Sequence, residues 1–151
     1  MAHWLMKSEP DELSYDDLER KGLAGWDGVR NFQARNSLRR MVVGDLVLFY
    51  HSSTVPPGVA GVARVARRAE PDPTQFDPTS HYYDPGSRLD DPRWDWVTVA
   101  PVRALRYLTL TELRTIPEMA SSRLLARGNR LSVIPMTEAE FTAVVDRADR
   151  D

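Results

Sequence analysis

Leu46-Val47-Leu48-Phe49-Tyr50-His51 is the run that most restricts what this chain can fold into. Consecutive apolar and aromatic residues set off by Gly44-Asp45 read as a buried strand, because a strand with one wet face alternates apolar and polar positions. Such a strand needs a neighbour on its ladder. Pro56-Pro57-Gly58 supplies turn chemistry, and Val59 to Val65 reads as the hairpin partner, with Gly61 marking a bulge or a close approach. The chain must also build a core around the strand. With 151 residues, 42% hydrophobic and 28% charged, it has the composition of a globular protein and the length to bury roughly two-thirds of its unfolded surface. A single domain over 1–151 is expected.

The remaining elements follow from local signals. His3 to Ser8 reads as a strand ended by Glu9-Pro10. Ser14 caps a helix to about Lys21, with Asp16, Asp17 and Glu19 near its positive end and Gly22 stopping it. Asn31 caps a second helix from Phe32 to about Met41, with Phe32, Leu38 and Met41 on the inner side and Arg35 and Arg39 sharing a face. From Glu70 to Pro92 the sequence turns to Pro, Asp, Ser and Tyr, which reads as a long ordered surface excursion placed to act as a lid. Trp94 to Ala100 alternates as a strand, extended by Val102 to Leu108 beyond Pro101. Thr109-Leu110-Thr111-Glu112 opens a short helix, Ser122 to Arg127 forms another, and Leu131 to Ile134 is a last strand. Thr137-Glu138-Ala139-Glu140 opens a C-terminal helix with Phe141, Val144 and Val145 on its apolar side. Without repeats, a linker or a glycine-rich dinucleotide fingerprint, the pattern points to a small mixed sheet or barrel.

Several functions are disfavoured by composition. No run approaches the ~18 apolar residues of a membrane span, and Met1-Ala2-His3-Trp4 does not begin a secretory leader, so no membrane association and a cytoplasmic location are expected. There are no cysteines, and His3, His51 and His81 lie in no metal-binding spacing. Neither a metal nor a cofactor is expected. Tyr50-His51-Ser52-Ser53 superficially invites a nucleophile and base, but the nucleophile elbow is absent and adjacent strand residues face opposite ways. Glu9 suits a turn or a ligand contact, and Asp45 a turn. The net charge of −2 argues weakly against a nucleic-acid binder. Its distribution argues otherwise: Arg30, Arg35, Arg39, Arg40, Arg64, Arg67 and Arg68 lie between Gly28 and Ala69 against the single acid Asp45. The preference for Arg over Lys fits planar contacts to phosphates or bases, and equally a GC-rich genome.

Among the four tryptophans, Trp4 reads as core, and Trp94 and Trp96 as one core and one surface-closing residue. Trp26 differs. Its neighbours Gly25, Asp27 and Gly28 offer little shelter, and Arg30, Asn31, Arg35 and Asn36 follow closely. A flat ring beside guanidiniums and amides suits a planar, polar ligand such as a nucleobase; a satellite core cluster is the alternative.

Trp4-Leu5-Met6-Lys7-Ser8-Glu9-Pro10, the Trp26 to Asn36 segment, Gly44-Asp45 with Phe49-Tyr50-His51-Ser52, Pro57-Gly58-Val59-Ala60-Gly61, Asp91-Pro92-Arg93-Trp94 and Arg130-Leu131-Ser132-Val133 recur in an order that resembles the EVE-domain family. The resemblance spans almost the whole chain. It implies an α+β, PUA-like fold, a β-barrel or strongly curved mixed sheet flanked by helices, related to YTH and ASCH domains. It also implies a non-enzymatic domain that holds a modified base of DNA or RNA. Carried onto this sequence, Lys7, Ser8 and Glu9 would form one rim of the pocket, Trp26 would stack on the base, and Arg30 and Asn31 would approach its edge or the backbone. Tyr50, His51 and Ser52 would close the opposite wall, and Arg35 and Arg39 would meet phosphates. Two alternatives stand beside this reading: a hydrolase-type enzyme using Lys7, Glu9 and His51, and an interaction module whose 70–92 segment contacts a protein partner.

Overall fold

The computed structural model describes residues 1–150; Asp151, the last residue of the expected domain, lies outside them. The Leu46–His51 run forms β3, flanked by β1 (His3–Ser8) in parallel and β4 (Gly58–Pro71) in antiparallel pairing. Side chains on a strand alternate between faces, and both faces of β3 are covered. Val47 and Phe49 enter a core with Trp4 and Met6, beneath α1 (Tyr15–Lys21) and α2 (Phe32–Arg40). Leu48 and Tyr50 enter a second core with Leu5. That core also takes residues of α3 (Leu110–Leu113) and of α4 (Glu138–Ala148), among them Leu113, Phe141 and Val144. This two-sided burial is why the run is apolar throughout.

The sheet has six strands in the order β2-β5-β4-β3-β1-β6, where β2 is Ala24–Gly25, β5 is Asp95–Thr109 and β6 is Val133–Met136. It does not close, so the open mixed sheet, not the barrel, is the geometry adopted. Four register shifts interrupt the β4–β5 ladder, and bulges of this kind bend strands and increase twist. One lies at Gly61, where a Cβ would sit 2.5 Å from the Tyr15 ring; that ring's hydroxyl donates to the Val62 carbonyl at 2.7 Å. Gly61 therefore lets α1 press onto the sheet.

Local signals set most element ends. Ser14 and Thr137 each complete a reciprocal capping box, and the Asn31 side chain accepts from the Ala34 N–H. Three expectations shift. Phe32 is 54% exposed, because the first residue of α2 stacks on Trp94 instead of reaching the core that buries Leu38 and Met41. Residues 122–127 make only a single 3-10 turn over Arg123–Leu125. The last strand begins at Val133 and runs through Pro135, tolerated because β6 is an edge strand.

Candidate functional site

A cavity of about 780 Å³ opens where the end of β1 meets the loop after β2. Lys7, Ser8 and Glu9 form one side, Trp26, Asp27, Gly28 and Val29 another, and His81 and Tyr82 a third, with Ser52, Arg130 and Ser132 completing the rim. Its size falls in the range of small-molecule sites, roughly 300–1,000 Å³.

The loop's shape is set by a buried carboxylate. Asp72, fully buried, accepts from the Gly28 N–H at 2.9 Å and from Arg30 Nη1 at 3.1 Å through one oxygen, and from the Thr74 N–H and hydroxyl through the other. Arg30 also donates from Nε and Nη2 to the Tyr82 carbonyl, at 3.1 and 2.8 Å. The Trp26–Arg30 loop and the 72–94 excursion are thus fastened together beside the cavity. Gly28 has a φ of +80°, and its missing Cβ leaves the space that the Tyr82 ring occupies, 2.5 Å from where that atom would stand. The Tyr82 hydroxyl donates to the Glu12 carboxylate and His81 Nε2 lies 3.2 Å from it, so the excursion spans the cavity to the turn after β1. Burial and the Glu12 carboxylate both push the Tyr82 phenol upward in pKa, keeping it a donor.

Lys7, Lys21 and Arg130 line the cavity together with Glu9, Glu12 and Asp27. Burial lowers the Lys7 pKa. Desolvation, with Asp72 and Glu12 nearby, raises that of Asp27 even though its side chain reaches solvent. Donors and acceptors of both signs line the same cavity beside aromatic surface, which suits a planar ligand with its own mixed hydrogen-bonding edge better than a simple anion. Among the described residues, no group of three or more His, Asp or Glu side chains is placed to hold a metal ion, and no helix is long and apolar enough to cross a membrane.

Lys7, Ser8, Glu9, Trp26 and Ser52 from the sequence-predicted set line this cavity; the other six do not. Trp26 is only 5% exposed, sheltered by core packing that includes an edge-on contact with Phe49 at 5.0 Å, so the alternative of a core role applies to most of its surface. Arg30 stands behind Tyr82 as a brace, and Asn31 is spent on capping α2. Tyr50 is buried in the opposite core. His51 points to α1, where its Nε2 accepts the Tyr15 N–H at 3.1 Å. That bond needs the unprotonated nitrogen, and burial lowers the imidazole pKa accordingly. Neither Tyr50 nor His51 is brought to the cavity, because neighbouring positions on β3 face opposite ways and both faces are occupied. Arg39 pairs with Asp95, while Arg35 donates to Asn36 Oδ1 and to the Arg93 carbonyl. Glu12, Asp27, His81, Tyr82 and Trp96 line the cavity although the sequence assigned none of them to the pocket. Gly28, a glycine required 54 residues before the ring that covers it, was the one local sign of Tyr82.

An open mixed sheet with helices on both faces and a polar, aromatic-walled cavity at the end of its first strand defines a PUA-like binding domain. The EVE-domain family model matches residues 2–147, and the chain belongs to that family. Human thymocyte nuclear protein 1 is 38% identical over 99% of this chain and 75% of its own length; the mouse protein is 41% identical over 95% and 72%. A crystal structure of a Pseudomonas putida protein superposes with a TM-score of 0.94 at 51% identity, covering 96% of this chain and 98% of that one. A structure of human THYN1 protein in complex with DNA containing 5-methylcytosine superposes at 0.94 with 38% identity, covering 100% and 99%. The names of the vertebrate relatives overturn the cytoplasmic location expected from sequence, since they are called nuclear proteins. That no helix among the described residues is long and apolar enough to cross a membrane does not distinguish one aqueous compartment from another.

Proposed function

We propose that residues 1–151 act as one EVE domain that reads a modified base in nucleic acid, holding the base in the cavity between Lys7-Ser8-Glu9 and Tyr82 without altering it. The observation that carries this reading is the cavity itself: about 780 Å³, walled by aromatic rings and lined by both carboxylates and cations. The human relative crystallised with 5-methylcytosine DNA supports a methylated cytosine as the base and DNA as the polymer. Carboxylates accept hydrogen bonds from the exocyclic amine of cytosine, whereas thymine presents a carbonyl oxygen at that position and is repelled. Glu9 and Asp27 offer such carboxylates, that of Glu12 being engaged by Tyr82. A buried methyl adds roughly 0.8 kcal/mol, a few-fold preference, so stronger discrimination comes from contacts that the unmodified base fails to make.

The test is a binding panel at one fixed salt concentration, since phosphate contacts make affinity salt-dependent. Cytosine, 5-methylcytosine and thymine are placed at a single position in single-stranded and duplex DNA and RNA. The expected result is tightest binding to 5-methylcytosine, a preference over thymine that Asp27→Asn reduces, and unchanged oligonucleotide masses after prolonged incubation. Equal affinity for all three bases overturns base reading, and a mass change overturns the non-enzymatic assignment.

A further inference from the structure

The aromatic wall of the cavity continues to the protein surface. The Arg30 guanidinium carbon lies 5.5 Å from the Tyr82 ring centroid and 5.5 Å from that of Trp94. Trp94 stacks on Phe32, centroids 4.7 Å apart and planes inclined by 25°, and the Arg35 guanidinium carbon lies 4.8 Å from the Phe32 centroid. Tyr82, Arg30, Trp94, Phe32 and Arg35 therefore form one run of flat groups leading outward from the cavity.

The fold accounts for the inner three. Tyr82 fills the space over Gly28, Arg30 is fastened to Asp72, and Trp94 is buried with its Nε1 donating to Asp84 at 2.8 Å. The outer pair is different. Phe32 leaves 54% of its surface in water, and Arg35 gives its hydrogen bonds to neutral oxygens, the nearby Asp95 carboxylate being paired with Arg39. An exposed aromatic ring held in place by Trp94, beside a cation on neutral partners, combines the two features of single-strand recognition: a stacking surface and a positive charge for the backbone.

We propose that Phe32 and Arg35 bind a nucleotide flanking the one held in the cavity, its base against Phe32 and its phosphate on the Arg35 guanidinium. This rests on the base-reading proposal and adds a second contact point on the same strand. The three steps from Tyr82 to Phe32 cover a distance that a few nucleotides span, at ~3.4 Å per base in a stacked strand. The second site does not see the modification. It strengthens binding to methylated and unmethylated strands alike.

The test uses oligonucleotides carrying one 5-methylcytosine, with the fluorescent base 2-aminopurine placed in turn at each neighbouring position. One flanking position is expected to change its fluorescence on binding. Phe32→Ala and Phe32→Leu, the latter keeping apolar bulk against Trp94, should abolish that change and weaken affinity roughly 5- to 150-fold, the range for losing one base stack. The ratio of affinities for methylated and unmethylated strands should stay unchanged, and Phe32→Trp should retain both affinity and signal. Unchanged affinity and fluorescence in folded Phe32→Leu overturn the flanking site while leaving base reading intact, as would be expected if this patch served an acidic protein partner. If the unaltered protein shows no oligonucleotide binding, both proposals fall together.

Discussion

Replacing Asp72 by alanine tests the fastening that gives the cavity its shape. Its carboxylate is fully buried and accepts four hydrogen bonds, from the Gly28 and Thr74 N–H groups, the Thr74 hydroxyl and the Arg30 guanidinium. Truncation leaves the Arg30 charge without its counter-ion and the Gly28 N–H without an acceptor. Removing one partner of a buried pair typically costs about 3–5 kcal/mol, and the Arg30 side chain is 22% exposed, so water moderates the loss. A destabilisation of about 3 kcal/mol is expected, a fall in Tm of roughly 6–12 °C at this chain length. Urea unfolding of Asp72→Ala, Arg30→Met and the double variant measures it. Because the stranded cation causes part of the loss, Asp72→Ala/Arg30→Met should cost less than the sum of the single changes. Additive costs, or a loss below about 1 kcal/mol for Asp72→Ala, would refute the assignment of Asp72 as the central anchor.

Two further outcomes follow from the same geometry. The His51 imidazole is held neutral in the fold, its pKa depressed below the ordinary 6.5 by burial. The unfolded chain takes up a proton as pH falls through that value while the folded chain resists, so stability declines on acidification below about 6.5. Urea unfolding between pH 5 and 8 should show this slope and a shallower one for His51→Gln, and an identical slope in the variant would count against the role. Gly28→Ala forces a side chain into a φ of +80° and against the Tyr82 ring. It should cost about 1–3 kcal/mol and weaken binding of methylated oligonucleotides in fluorescence titrations, whereas undiminished binding would show that Tyr82 does not shape the base site.

The elements themselves were largely legible in the chain because their causes are local. A continuous apolar run marked β3, Ser14, Asn31 and Thr137 marked three helix starts, and Gly61 marked the close approach to Tyr15. Lys7, Ser8, Glu9 and Ser52 reach the cavity from the ends of strands that could be read in the same way.

Which other side chains would join them was decided by tertiary packing. Tyr50 and His51 look from sequence like natural neighbours of Ser52, yet one enters a core and the other caps the backbone of α1. Tyr82 and His81 come from a segment without periodicity and arrive only because Asp72 and Arg30 tie that segment to the Trp26 loop. Trp26 itself is mostly core, whereas the Phe32 ring is more than half exposed. Short-range chemistry determined the strands, turns and caps of this protein. The faces, the partners of the arginines and the walls of the cavity depended on contacts between distant segments, which no local pattern encodes.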